Sequence, residues 1–232
     1  MKTHKLISFN FLQSINNKEQ FYDQIMEEKD TLRNTLNHFI ILCIFSCLYG
    51  VAMGCHNGLY QALSSGVKLP ILFALIILIC FPAFFVIQAI LGSKLTLGQM
   101  LSVILAGFMM TASIMVSFAP IVIFFLITGG NYGFIKLLHV AIITLSGLFG
   151  MVFVVEALRF SCEKKEIYPK IGVRVFKFWI VILAFVGTQL SWSLRPFIGS
   201  KELPFQLFRK QEGNFYQAIV HSVQDMIKSD KQ

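Results

Sequence analysis

Few side chains in this sequence can do chemistry, and they do not assemble into a working set. Inside its long apolar stretches the polar groups are Gln88, His139 and Gln189, with Glu156 and Arg159 at one end. Glu156 and Arg159 are three apart, so on a helix they can pair at a membrane interface. His139 falls one turn inside its stretch, near Lys136, where a hydrogen-bonded interfacial histidine is expected, alongside titration or head-group binding. Ion-coupled transport asks for a buried carboxylate or a broken helix at mid-membrane. No acidic residue occurs between Asp30 and Glu156. Glu27 and Glu28 followed by Arg33 come near an EExxxR protease motif, but one residue too long and ahead of the first apolar stretch. HEXXH, GxSG and GxGD are missing, and Cys43, Cys47, Cys55, Cys80 and Cys162 form no CxxC pair. The expectation is no enzyme, no metal and no cofactor, with the cysteines as small apolar packing groups.

The densest constellation runs from Gln189 to Phe208. Gln189, Trp192 and Arg195 step by three and share one helical face, with Trp suited to the interface and Arg to head groups. Pro196, Gly199 and Pro204 then turn a chain that stays apolar at Phe197, Phe205, Leu207 and Phe208. Such residues need burial, which predicts a tail that caps one end of a bundle. A pore lip or a docking surface is the sharper alternative.

A second pattern concerns packing. Ser46, Gly50, Gly54 and Gly58 recur every four residues, and in lipid small residues at that spacing let two backbones approach closely. Ser146 with Gly150, and Gly187 with Ser191, repeat it further along. The ladder predicts helix packing within one chain or a homo-oligomer seam. Pro82 and Pro120 each remove a backbone donor and crowd the carbonyl four residues back, at Leu78 and Val116, which predicts kinks.

The elements that must position these groups are membrane spans. Of 232 residues 56% are hydrophobic and only 14% charged, against about a quarter charged in soluble domains. From Leu36 to Val155 the only formal charges are Lys68, Lys94 and Lys136, and mean hydropathy is +0.69. This predicts an all-α polytopic bundle of about five spans, at 36–55, 70–91, 101–128, 135–158 and 175–194, the third bent at Pro120. A C-terminal tail occupies 196–232. Residues 1–35 carry a helical stripe of Leu12, Ile15, Tyr22, Ile25, Lys29, Leu32 and Leu36, with Asn16 and Glu19 as a cap. That is an amphipathic helix lying on the membrane surface or against a neighbour. It is too polar to be a cleavable signal peptide.

Net charge is +8, in clusters beside the spans that suit anionic lipid rather than the basic stripe of a nucleic-acid binder. With five spans, the N-terminus and the 92–100 and 159–177 loops share one side and carry twelve Lys and Arg, against eight on the other. The bias predicts a cytoplasmic N-terminus.

Leu190–Leu203, LSWSLRPFIGSKEL, and GNFYQAI at 213–219 resemble a family of bacterial multi-pass membrane proteins with an LSW-x-LRPFIGSP tail followed by GNFY. Val67–Pro70, Leu91–Ser93 and Phe118–Pro120 look like weaker matches, and Lys201 stands where that pattern has proline. The resemblance implies a bacterial inner-membrane protein and no activity. The five-span layout is similar to the Yip1 group of trafficking proteins in architecture alone. Together these readings predict a membrane scaffold or accessory subunit working with lipids, a protein partner or further copies of itself. The alternative is a homo-oligomeric pore, as in a membrane-damaging defence effector.

Overall fold

A computed structural model describes residues 18–26, 31–129, 132–199 and 206–208. Among them the chain is helical with no strand. The helices are α1 (Lys18–Met26), α2 (Thr31–Gly54), α3 (Leu59–Ile90), α4 (Leu97–Ser117), α5 (Ala119–Ile127), α6 (Tyr132–Glu163) and α7 (Lys170–Ser193). Five helices, counting α4 and α5 as one, are long and apolar enough to cross a bilayer. This is a multi-pass membrane protein.

Local chemistry explains the boundaries. The expected second span began at Pro70, but α3 starts at Leu59, directly after Gly58 at φ 105°. Pro70 therefore sits inside the helix. A bilayer core takes about 20 helical residues and α3 has 32, so the apolar window ends near Pro70 while the helix continues. α4 begins at Leu97, ahead of the expected 101, because Thr96 and Gln99 form a reciprocal capping box. The Thr96 amide donates to Gln99 Oε1 at 2.9 Å and the Gln99 amide to Thr96 Oγ1 at 3.3 Å. Pro120 divides the third span as expected, α5 restarting after Phe118 with proline in its first turn. Pro82 and Pro120 are exposed on the outside of the bundle, so neither faces its interior.

α2 lies against α3 and α4, α4 against α6, and α7 closes on α3 and α6. Small residues bring two pairs of helices into close backbone approach. A Cβ on Gly50 would fall on the Ser65 carbonyl oxygen, and one on Gly54 would lie 2.5 Å from the Gln61 oxygen. The predicted ladder thus joins α2 to α3 within one chain, with Ser46 also buried. Gly58 is not a rung: it turns the chain after the 3-10 segment Cys55–Asn57, with open space around it. The second crossing is Gly107 of α4 on Gly150 of α6. A Cβ on Gly150 would lie 2.5 Å from the Gly107 oxygen and on top of Thr111 Oγ1. Gly187 packs more loosely, its Cβ position 3.2 Å from Ile76 Cδ1. α7 docks through rings, Phe84 meeting Phe176 at 5.2 Å and Trp179 at 5.9 Å between centroids.

α1 packs on the ends of α4, α2 and α6. Leu12, Ile15 and Lys29 of the predicted stripe, and Asn16 of the predicted cap, lie outside the described residues; Tyr22 and Ile25 are buried with Phe21 beside them, but Leu32 and Leu36 are exposed, because they begin the separate helix α2 and do not share the face of α1. Tyr22 meets Phe153 at 5.3 Å and Phe160 at 5.7 Å and donates its hydroxyl to Glu156 at 3.0 Å. The Glu156–Arg159 pair that the sequence allows is not among the ion pairs of the described residues; Glu156 faces α1 instead. Lys164 pairs with Glu19, and Lys165 with Asp23 at 2.9 Å. Burying an apolar side chain is worth about 1.5–3 kcal/mol and an exposed ion pair about 0–1 kcal/mol. The rings therefore hold α1, and the ion pairs add little.

Burial, then the hydrogen bond and charge of Glu156, raise the Tyr22 phenol above its usual value of 10.0. The seat favours the protonated phenol. Its contribution is complete below about pH 10 and is lost as pH climbs through the raised value. A wild-type minus Tyr22→Phe ultraviolet titration should show the missing tyrosine ionising above pH 10. Tyr22→Phe should also weaken the seat by about 1 kcal/mol, read as faster amide exchange in α1.

Candidate functional site

The best-formed polar cluster lies where α3 meets the segment after α7. Gln61, Ser65 and Lys68 occur at i, i+4 and i+7, one face of a helix. All three are buried, and each donates to main-chain oxygens of the segment beyond α7. Gln61 Nε2 donates to the carbonyls of Pro196 at 2.9 Å and Phe197 at 3.0 Å. Ser65 Oγ donates to the Phe197 carbonyl. Lys68 Nζ donates to Pro196 at 3.1 Å and to Leu207, and lies 4.9 Å from the centre of the Phe208 ring.

The α2–α3 packing makes this possible. Gly50 and Gly54 bring the first turns of α3 against α2 through the backbone of Gln61 and Ser65, and the adjoining polar face of those turns meets the segment after α7. At the far edge Gly199, at φ 66°, turns the chain against Asn57, and a Cβ there would lie 2.6 Å from Asn57 Nδ2. Both the left-handed backbone and the close approach require glycine. Lys68 is only 5% exposed. Its ammonium is supported by carbonyl dipoles and a ring face, an arrangement that keeps a buried cation hydrogen-bonded. Ser65 and Lys68 have the spacing of a Ser–Lys hydrolase pair, but each donates its hydrogen bond to a main-chain carbonyl rather than to the other.

The residues singled out in the sequence divide accordingly. Pro196, Phe197 and Gly199 are brought into this clasp. Arg195 stacks its guanidinium 3.7 Å from the Trp192 ring centre, as one shared face predicts, while Gln189 of that face is exposed. Leu207 and Phe208, expected to be buried, are exposed; they are held by the Lys68 ammonium through the Leu207 carbonyl and the Phe208 ring face, and Pro204, Phe205 and the GNFY segment lie outside the described residues. Gln88 is buried at the far end of α3 and donates to the Gly172 carbonyl at 3.3 Å. His139 is hydrogen-bonded as expected and is buried inside the bundle. Its Nδ1 lies 2.9 Å from the Tyr49 hydroxyl, and the residue is 2% exposed. A parallel pair, His38 with Ser102 at 3.4 Å, joins α2 to α4 near the other end.

Neither protein-family models, nor curated proteins, nor solved structures contain a match to this chain. Function must be read from the molecule. Among the described residues, no group of three His, Cys, Asp or Glu side chains can hold a metal.

Sequence reasoning placed 56–69 in a loop and so passed over Gln61, Ser65 and Lys68. The signal was present: QxxxSxxK lies on one helical face once the helix is allowed to start at Leu59. Gly107 was also missed, because its partner is the backbone of a different helix.

Proposed function

We propose that this chain is a non-catalytic membrane scaffold or accessory subunit that acts through its outer surfaces. The observation that carries this reading is the spent interior. Along α4, Met100, Val103, Ala106, Met109, Ala112 and Met115 are all fully buried. The small-residue ladder is consumed in joining α2 to α3, and the polar triad of α3 is consumed on the chain's own carbonyls. The two prolines face outward, where kinks do not widen an interior passage. What remains for recognition is the periphery and the end bearing α1, where the α3–α4 and α6–α7 connections meet through the Lys94 amide and the Ile167 carbonyl at 2.9 Å. The excess of Lys and Arg on that side supports a cytoplasmic N-terminus. The likeness of Leu190–Leu203 to the bacterial multi-pass family supports an inner-membrane setting.

Purified protein reconstituted in liposomes should leave them tight to small ions and dyes, and crosslinking in native membranes should join the α1-bearing end to a defined second protein. Conductance that disappears with Arg195→Ala would instead establish the oligomeric pore and end the scaffold reading.

A further inference from the structure

Two groups of cations flank the α6–α7 connection. Those at the end of α6, Lys164 and Lys165, are neutralised by Glu19 and Asp23 of α1. Those of α7 are not. Lys170, Arg174 and Lys177 are exposed, have no ion pair or hydrogen bond among the described residues, and recur at i, i+4 and i+7 on one face. α7 contains no acidic residue. The same face continues deeper as Phe178, Val181 and Phe185, which are 67%, 62% and 57% exposed, while the opposite face, Gly172, Phe176, Trp179 and Leu183, packs inward. A basic patch of about two turns thus leads directly into an apolar stripe along one outward face of a membrane-spanning helix.

We propose that this face of α7 is a binding site for an anionic phospholipid. The phosphate sits among Lys170, Arg174 and Lys177, and an acyl chain lies along Phe178, Val181 and Phe185. Charge selects the occupant. Three cations without an ion pair among the described residues, on a helix that carries no acidic residue, favour a head group carrying net negative charge over a zwitterionic one, and guanidinium matches phosphate oxygens in a bidentate way. Geometry selects a lipid over a soluble anion, because the apolar stripe below the patch faces hydrocarbon. α1 neutralises Lys164 and Lys165, whereas the three cations of α7 stand directly above exposed apolar surface on one face. The site goes beyond the scaffold reading and stands or falls separately from it.

The chain has two tryptophans, so Phe178→Trp combined with Trp179→Phe and Trp192→Phe leaves one reporter on the proposed acyl track. Its quenching is measured in full-length protein reconstituted in phosphatidylcholine, with either brominated phosphatidylglycerol or brominated phosphatidylcholine as the minor lipid. Each cation near an anionic surface is worth roughly a fivefold enrichment. Phosphatidylglycerol should therefore be preferred at least about fivefold, and Lys170→Gln with Arg174→Gln and Lys177→Gln should bring the two lipids to parity. Lys164→Gln with Lys165→Gln should leave the preference intact. Native mass spectrometry of the chain with its own tryptophans, with and without the α7 triple substitution, should give the same ranking of retained lipids should the reporter disturb folding. Parity in the parent, a preference that survives the triple substitution, or one abolished by excess inorganic phosphate would overturn the proposal.

Discussion

Gly150→Leu should cost about 3 kcal/mol or more of bundle stability, the upper range for overpacking, whereas Gly147→Leu on the same helix should cost less than about 0.5 kcal/mol. The contrast comes from what each new side chain meets. At Gly150 a single added carbon already collides with Thr111 Oγ1 and lies 2.5 Å from the Gly107 carbonyl oxygen, while at Gly147 nothing lies within 4 Å. Thr111 can rotate only by giving up its bond to the Gly107 carbonyl at 3.0 Å, and that carbonyl belongs to α4 itself. The two helices must separate, and lipid offers no hydrophobic force to hold them once close packing is lost. Equilibrium unfolding in mixed micelles reads both variants beside wild type. Equal stability of the two leucine variants would remove the argument that backbone proximity, rather than general apolarity, holds α4 to α6.

Lys68→Glu should release the segment after α7 and cost about 3–5 kcal/mol, the scale for leaving buried charge without its partner. The substitution removes two charge-assisted hydrogen bonds, each worth about 1.5–3 kcal/mol, and points a carboxylate at the carbonyl oxygens of Pro196 and Leu207. Lys68→Met keeps the apolar stem against its surroundings and loses only the donor, so about 2 kcal/mol is expected. Amide exchange and limited proteolysis around Phe197 and Leu207 should rise in that order, wild type lowest and glutamate highest. Unchanged protection in Lys68→Glu would show that the segment is held by its apolar residues alone and that the clasp is incidental.

The legibility of the two sites differs for a physical reason. The tail motif announced itself because Trp192, Arg195, Pro196 and Gly199 each have strong local preferences for interfaces and turns. Its receptor did not, because Gln61, Ser65 and Lys68 are ordinary polar residues whose meaning depends on helical phase. Hydropathy ended the span at Pro70, where apolarity ends. Hydropathy reports the solvent, whereas the helix is continued past that point by contact with α2. The capping box at Thr96 was readable from four residues and was passed over in favour of the same apolar criterion.

Solvent and secondary structure were encoded locally: a stretch from Leu36 to Val155 with three charges can only be helical in lipid, since every backbone group must find its partner within the segment. Periodicity likewise exposed the small-residue ladder, and proline chemistry the break at Pro120. Partner choice was not local. That Gly50 meets Ser65 of the same chain and not a second copy, that Glu156 faces Tyr22 of α1, and that Lys68 finds Pro196 across 128 positions follow from which helices end up adjacent. Adjacency is set by the sum of many weak packing contacts, and no short window of residues contains that sum.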